Sequence, residues 1–223
     1  CYGKNDSESP TPIIHWRNDL RRSLTIVDIV TRDRNSLFEK LTGAFSVANL
    51  NILGARAVTR KDGLAIDVFY VEDKNGGVVD DPNIRQLCES SIRSFLADKI
   101  SPDELISEKK KKADRSQRFS NQDKLGERIA SQVDVYRDIS LNRTIVEVRA
   151  PDQVGLLHLI AKTISTCGFS IQFARIATEH GIATDVFNIE PLESKEPFSP
   201  IRFLELREKL STALYEGKFY HEV

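Results

Sequence analysis

The chain has 223 residues, enough to bury two hydrophobic cores, and its 32 basic and 33 acidic side chains leave a formal net charge of −1. Because the chain is nearly neutral, it has no overall positive electrostatic field to attract nucleic acid or an anionic membrane. Both kinds of partner are therefore disfavoured. No apolar run is long enough for a transmembrane helix, and no charged-then-apolar leader opens the chain.

The spacing of the cysteines and the lack of methionine give further information about the setting and completeness of the chain. Cys1, Cys88 and Cys167 are odd in number and far apart, and they match no zinc-ligand spacing. This pattern disfavours disulfides and zinc and fits a reducing cytoplasm. We also predict no other metal and no cofactor. The chain begins with Cys1 and contains no methionine, which indicates either a fragment of a longer protein or a sequence from which the methionines have been lost.

The first part of the chain is predicted to form a tail and then a small α/β unit. Residues 1–23 have the composition of a tail or linker. Residues 24–100 have the apolar patterns of strands and helices and are predicted to form a first domain. The predicted elements are a helical turn within Ile13–Arg22, where Trp16 and Leu20 are four apart; a strand at Leu24–Val30; a helix carrying Leu37, Leu41, Ala44, Phe45 and Ala48; strands Ile52–Arg60 and Leu64–Glu72; and a helix over Pro82–Ile100 with an aspartate cap at Asp80 or Asp81.

A charged segment follows. Residues 101–142 are predicted to be a connector, of which Ser101–Ala130 is exposed and helical in part, with Lys109–Lys112 as a solvated face. Within it, Gln132–Asp138 alternates apolar and polar residues. This stretch can serve as the last strand of the first domain or pair with the second.

The second domain, 143–223, repeats the first. TIVDI returns as TIVEV, NILGARAVTRKDG as SIQFARIATEHG, and LAIDVF as IATDVF, so Thr25–Glu72 has a diverged copy at Thr144–Glu190. A repeat this long indicates a duplicated domain. Its predicted elements are strand Thr144–Arg149, helix Gly155–Cys167, strands Ser170–Thr178 and Ile182–Glu190, helix Ile201–Leu214 with Ile201, Leu204, Leu210 and Leu214 on the sheet, and a short strand within Gly217–Val223.

Each copy therefore predicts an α+β, ferredoxin-like βαββαβ fold, with an antiparallel sheet and both helices on one face. Pairing Thr59 with Leu64 across the first hairpin places Arg56 opposite Asp67. The same register in the second copy places Arg175 opposite Asp185. We interpret these pairs as cross-strand ion pairs rather than ligand groups.

Catalytic patterns are not found in the sequence. The four histidines are scattered, and none belongs to an HExxH motif or a His-Asp pair. No Ser, Cys or Thr lies in a nucleophile elbow. We interpret His158 as a half-buried or surface residue. The fold class includes RNA-recognition modules and copper chaperones, but the basic-aromatic spacing of the former and the C-x-x-C of the latter are absent. We predict no catalytic residue in this fragment.

One strand-to-helix loop does suggest a binding site. Asp152-Gln153-Val154-Gly155-Leu156-Leu157 places an acceptor before a helix and a glycine at the helix entrance, where free amides favour an anionic group. This D-x-x-G-L-L motif, with a following strand that opens Ser170-Ile171 or Asn51-Ile52, resembles the ACT domain, a small-molecule sensor of amino-acid metabolism. Two such domains in tandem, with ARIAT and ATDVF in the second, are similar to the C-terminal regulatory region of the bifunctional uridylyltransferase/uridylyl-removing enzymes.

The resemblance implies that an amino acid, with glutamine as the expected ligand, binds where two ACT domains pack side by side. It also implies a regulatory role in nitrogen signalling, with the PII protein as a partner through the parent enzyme. The expected intact site joins the second copy's loop to the start of the first copy's second strand, and comprises Asp152, Val154, Gly155, Leu156, Leu157, Asn51 and Ile52. A degenerate second site, in which Ser36 replaces the glycine, comprises Asp33, Ser36, Leu37 and Ser170.

Two alternatives stay open. Asp152 could cap its helix and Gly155 could relieve a tight turn, with no ligand involved. The whole module could also be a ligand-free structural unit that pairs two sheets, within one chain or in a homodimer.

Overall fold

The computed structural model describes residues 11–117, 130–140, 142–192 and 200–219. The tail before residue 11, the connector over 118–129 and residues 220–223 of the predicted last strand lie outside this part. The elements in chain order are β1 (Ile13–Asp19), β2 (Leu24–Arg32), α1 (Leu37–Val47), β3 (Leu50–Thr59), β4 (Leu64–Asp73), α2 (Pro82–Leu96), α3 (Pro102–Gln117), β5 (Gln132–Asp138), β6 (Arg143–Pro151), α4 (Leu156–Thr166), β7 (Phe169–Arg175), β8 (Thr178–Glu179), β9 (Ile182–Pro191) and α5 (Pro200–Phe219).

The two copies form one continuous antiparallel sheet in the order β1-β2-β4-β3-β7-β9-β6-β5, with β8 paired to β9. We call β1 to α2 repeat one and β5 to α5 repeat two. The repeats meet edge to edge where β3 pairs with β7, through Gly54↔Arg175, Ala55↔Ala174 and Arg56↔Phe173. On the helical side of the sheet, α1 packs against α4. The predicted α+β fold class is thus confirmed, and its two copies pair within the chain.

The fourth strand of each repeat comes from the front of the repeat. β1 pairs with β2 along its whole length, with Trp16 opposite Val27, so the predicted helical turn within Ile13–Arg22 is wrong. Ile14 and Trp16 alternate with exposed residues, and this period of two is that of a strand. β5 does the same for repeat two by pairing with β6, which selects the second of the two alternatives for Gln132–Asp138.

The C-terminal helix also differs from expectation. α5 runs to Phe219, so 217–219 are helical rather than part of a strand. Leu210 and Leu214 are buried, as predicted, and Leu206 is buried with them. Ile201 and Leu204, which were predicted to face the sheet, are exposed. The helical phase that buries the longest apolar stripe runs through Leu206, which the sequence reading left out.

The hairpin registers are shifted by one residue from those predicted. Thr59 pairs with Ala65, so Ala57 rather than Arg56 lies opposite Asp67, and Arg175 lies opposite Val186. The Arg56–Asp67 and Arg175–Asp185 ion pairs are therefore wrong. A one-residue shift moves side chains to opposite faces of the sheet, and Asp67 and Asp185 accordingly face the helices and are buried, at 3% and 1% exposure.

The predicted exposed connector is in part a core element. Asp81 caps α2 by accepting from the Asn83 amide at 2.8 Å, as predicted, and after this helix the chain turns into α3. In α3, Ile106 is only 5% exposed and Pro102 lies against Gly43 of α1. The start of α3 thus packs on the pair formed by α1 and α4, although most of its residues are charged.

Candidate functional site: a cavity between the repeats

A cavity of about 240 Å³ lies at the junction of the repeats, on the helical side of the sheet. Repeat one lines it with residues 33–39 and with Ala57, Thr59 and Asp67. Repeat two lines it with Ala161, Ser165, residues 169–172, Pro191 and Leu192. The volume suits a small metabolite, since pockets for drug-sized ligands start at roughly 300 Å³. The cavity contains every residue of the site that the sequence marked as degenerate: Asp33, Ser36, Leu37 and Ser170.

The loop before α1 has the same backbone design as its copy before α4. The Asp33 amide donates to the Gly63 carbonyl at 2.9 Å, and the Asp152 amide donates to the Gly181 carbonyl at 2.8 Å. Ser36 and Gly155 are the N-cap residues, with φ of 59° and 78°. Ser36 therefore keeps the left-handed conformation for which glycine is preferred, at a cost on the order of 1 kcal/mol.

The capping alternative for Asp152 does not match this geometry. The N-cap of α4 is Gly155, and among the described residues no side chain caps the helix. Asp152 lies three residues earlier, at the protein surface. The protein on its inner side removes part of the water around the carboxyl group and raises its pKa, against a weaker opposing hydrogen bond with the Gln153 backbone.

Polar groups from both repeats meet across the cavity. The Ser36 and Ser165 hydroxyls lie 3.2 Å apart, which joins the loop of repeat one to α4. Ser170 donates to the Glu190 carbonyl at 3.3 Å and accepts from Gln172 at 3.0 Å. Gln172 falls at the β-bulge between Ile171 and Phe173, where the extra residue re-aims the strand toward the cavity.

The other predicted site is covered by α3. A side-chain carbon at Gly155 would lie 2.6 Å from Cγ2 of Ile106, so Ile106 occupies the space beside the glycine. Leu156 and Ile52 belong to the hydrophobic core, and Leu157 packs against it. Val154 and Asn51 are exposed, and within the described residues no hydrogen bond joins Asn51 to Asp152. Helix α3 thus covers the Asp152 loop, whereas the Asp33 loop and Ser170 line an open cavity.

α3 is held in this place by polar contacts at both sides of Ile106. Asp103 accepts from Lys162 at 2.5 Å, and its other oxygen lies 3.0 Å from Nε2 of His158. Further along, Lys109 donates to the Asn49 side chain at 2.5 Å and to the Ser46 carbonyl at 3.3 Å. His158 is buried, at 3% exposure, rather than half-buried or exposed as predicted, because α3 covers it.

Asp67 is one of the cavity residues that the sequence did not assign to the site. Burial, and secondarily the nearby Asp33, raise its pKa to about 7. Burial likewise raises the pKa of Asp185, its counterpart in repeat two, to about 7, with the backbone of Ala177 opposing the shift and Asp152 adding to it. The signal was present in the sequence: in LAIDVF and IATDVF an aspartate falls on the same strand face as the alanine and phenylalanine of the core.

Among the described residues, no group of three or more His, Cys, Asp or Glu side chains could hold a metal ion. None of the described helices combines the length and the hydrophobicity needed to cross a membrane.

The chain is similar in sequence to several known enzymes. Over 192 residues, or 86% of its length, the chain is 33% identical to the bifunctional uridylyltransferase/uridylyl-removing enzyme of Caulobacter vibrioides. It is 28% identical to that of Azospirillum brasilense over 95% of its length, and 27% identical to that of Gluconobacter oxydans over 86%. The matched region covers 20% of the first and third relatives and 22% of the second.

The chain therefore spans about a fifth of the length of these relatives, and the match lies in their C-terminal region. No family model matches the chain. Among solved structures, a protein of Galdieria sulphuraria aligns over 86% of this chain and 92% of its own, with 13% identity and a TM-score of 0.25. So loose an alignment carries no functional argument.

Proposed function

We propose that this chain is the regulatory, amino-acid-binding region of a uridylyltransferase/uridylyl-removing enzyme, and that glutamine is its ligand. The similarity to the C-terminal region of such enzymes and the tandem ACT-like fold support the proposal. Control of the enzyme's action on the PII protein, in the cytoplasm, is part of the same proposal.

The cavity between the repeats is the observation that carries it. A ligand in this cavity contacts a loop of one repeat and a strand of the other, so its binding energy depends on how the repeats are docked. Asp33, Ser36 and Leu37 line it from one side, and Ser170 and Gln172 from the other. Coupling between such a site and a distant active site is typically worth ~1–3 kcal/mol.

The loop Asp152–Leu157, with Asn51 and Ile52, stays a predicted second site. Ile106 occupies the space beside Gly155, so we propose that this site is closed while α3 is docked. The chain then binds one ligand, at the loop that carries Ser36 in place of glycine.

Calorimetric titration with glutamine tests this assignment through a matched pair of variants. Ser170→Leu places an apolar side chain in the wall of the open cavity, and Asn51→Leu makes the same change at the equivalent position of repeat one. We expect Ser170→Leu to lower glutamine affinity at least about tenfold, or about 1.4 kcal/mol, and Asn51→Leu to leave it unchanged. The reverse pattern would assign the ligand to the Asp152 loop instead.

The second candidate is a ligand-free pairing module. The β3–β7 junction and the α1–α4 contact favour it, because strand pairing and helix packing by themselves join the two repeats. Thermal unfolding separates the candidates, since a ligand at 100 times its Kd stabilises the folded state by about 2.7 kcal/mol. If glutamine and the other amino acids leave the unfolding temperature unchanged, the pairing module is the better account.

A further inference from the structure

Asp67 is a buried aspartate that lines the cavity and has no hydrogen-bond donor among the described residues. It lies on β4 between Ala65 and Phe69, on the strand face that carries the core, and it lines the cavity while only 3% exposed. Its backbone neighbours on the flanking strands, Ile29 and Ala57, offer no polar side chain. Within the described part of the chain, no group donates a hydrogen bond to its carboxyl oxygens.

A carboxyl group in such a place is costly to the fold on its own account. Buried polar groups in proteins nearly always have hydrogen-bond partners, and an unsatisfied one destabilises the folded state by roughly 1–3 kcal/mol. Asp67 opens instead onto a cavity whose walls come from two repeats. A group of this kind is explained if a ligand supplies the missing donor.

The charges around the cavity define the kind of donor. Among the described residues, the titratable side chains that line it are Asp33, Arg34, Glu39 and Asp67, three acids and one base, while α4 and β7 contribute only uncharged groups. One terminal nitrogen of Arg34 is already used by the Leu96 carbonyl, at 2.5 Å, whereas its Nε is buried and has no partner within the described part of the chain. The described wall is therefore mainly acidic, with one cation, which suits a ligand that carries an ammonium group together with an anionic or carbonyl group.

We propose that Asp67 is the ligand-anchoring residue of this cavity and that its carboxylate accepts hydrogen bonds from a primary ammonium group of the ligand. The inference rests on the proposed function and names a residue that the ACT-type motif does not include. It makes the cavity selective for free amino acids over analogues that lack the amino group.

Proton release accompanies binding in this scheme. The pKa of Asp67 is about 7 without ligand because burial and Asp33 favour the neutral acid. The ammonium group favours the carboxylate, so the carboxyl proton is released to solvent while the ligand keeps all its own protons. Glutamine affinity is then expected to increase between about pH 6 and pH 8, with proton uptake by the buffer visible in calorimetry.

The test compares Asp67→Asn with Asp185→Asn in the 223-residue chain. Both variants replace a buried, helix-facing carboxyl on equivalent strands, but only Asp67 lines the cavity. The probes are L-glutamine and glutaramate, which is glutamine without its α-amino group. Circular dichroism checks that each variant is folded.

We expect Asp67→Asn to lower glutamine affinity roughly 10–100-fold at about pH 8 and to change glutaramate affinity less than about twofold. Asp185→Asn should bind both probes as the wild type does. The inference is overturned if Asp67→Asn binds glutamine with wild-type affinity, if it weakens both probes equally, or if Asp185→Asn has the same effect.

A third probe separates this inference from the proposed function. If the wild type binds no glutamine, the proposed ligand is wrong, and n-butylammonium then tests the anchor alone. Binding of n-butylammonium to the wild type but not to Asp67→Asn supports the anchor without an amino-acid sensor. Absence of binding to the wild type, or equal binding to both, removes the anchor as well.

Discussion

Asp67 and Asp185 hold the same position in the two repeats, and both have a pKa of about 7 because burial disfavours their charged forms. An unfolded aspartate titrates near ~3.9, so between about pH 4 and pH 7 the folded state binds more protons than the unfolded state. Stability therefore falls as pH rises through that window. Oδ1 of Asp185, which has no hydrogen-bond partner in the described residues, shows the physical origin of this cost.

The pH dependence of unfolding follows from these two groups. We expect the free energy of unfolding of the ligand-free chain to be higher at about pH 5 than at pH 8, and Asp185→Asn to raise it at pH 8 by roughly 1–3 kcal/mol. Urea unfolding at several pH values measures this. Asp134→Asn, at an exposed position of β5, serves as the control and should follow the wild type. Parallel curves for Asp185→Asn and the wild type would contradict the account.

At the scale of elements, α3 decides which of the two loops is open. It is anchored through Asp103, whose carboxylate faces Lys162 and His158 on α4, and Ile106 then fills the space beside Gly155. Burial acts against ionisation of Asp103, but the hydrogen bonds from Lys162 and His158 prevail and lower its pKa. The carboxylate is thus suited to hold α3 at neutral pH.

Variants at the α3–α4 contact should change stability and stoichiometry separately. Gly155→Ala adds a carbon 2.6 Å from Ile106 to a residue at φ 78°, and we expect a loss of roughly 1–3 kcal/mol. Ser36→Ala, which adds no carbon at the equivalent position, should cost much less.

Ile106→Ala frees the space beside Gly155, and calorimetry should then find two glutamine sites per chain instead of one. A single site in Ile106→Ala would show that α3 does not close the second loop.

At the scale of the whole molecule, the β3–β7 junction turns two small units into one sheet. The junction requires close approach, since a side-chain carbon at the buried Gly54 would lie 3.2 Å from the Ala174 carbonyl oxygen. β-Bulges lie beside it on both strands, between Ile52 and Gly54 and between Ile171 and Phe173. The cavity depends on this junction, because its walls come from both repeats.

Forcing the junction apart should therefore remove ligand binding along with stability. We expect Gly54→Val to lower the free energy of unfolding by roughly 1–3 kcal/mol and to weaken glutamine binding at least about tenfold. Thr184→Val, on an exposed position of β9 away from the junction, is the control for a new β-branched residue. Denaturant unfolding and calorimetry measure the two effects. Wild-type affinity in Gly54→Val would mean that the binding site does not span the repeats.

Much of the architecture could be predicted from the sequence because it depends on local patterns. Apolar spacing gave the helices α1, α2 and α4, β-branched runs gave the central strands, and Asp81 was correctly predicted as a cap. β1 was mistaken for a helical turn because a short segment with Trp16 and Leu20 fits both periods. The hairpin registers were wrong by one residue, since register depends on turn geometry and bulges that composition does not reveal.

The candidate site was predicted in its parts rather than in its arrangement. The loops at Asp33 and Asp152 were identified from their motif, and the structure places Asp33, Ser36, Leu37 and Ser170 around one cavity. Which loop is open depends on where α3 docks. The sequence predicted an exposed connector there because most residues of α3 are charged or polar, and Leu105 and Ile106 form only a short apolar stretch. Asp67 was assigned to an ion pair through the register error.

The sequence by itself determined the duplication, the α+β fold of each copy and the loop chemistry, because these follow from residue patterns within one repeat. Only the tertiary structure decided that the copies join into one sheet, that Ile106 covers Gly155, and that Asp67 faces a cavity. Those features depend on contacts between segments that are far apart in the chain, and their energies are fixed by packing rather than by local propensity.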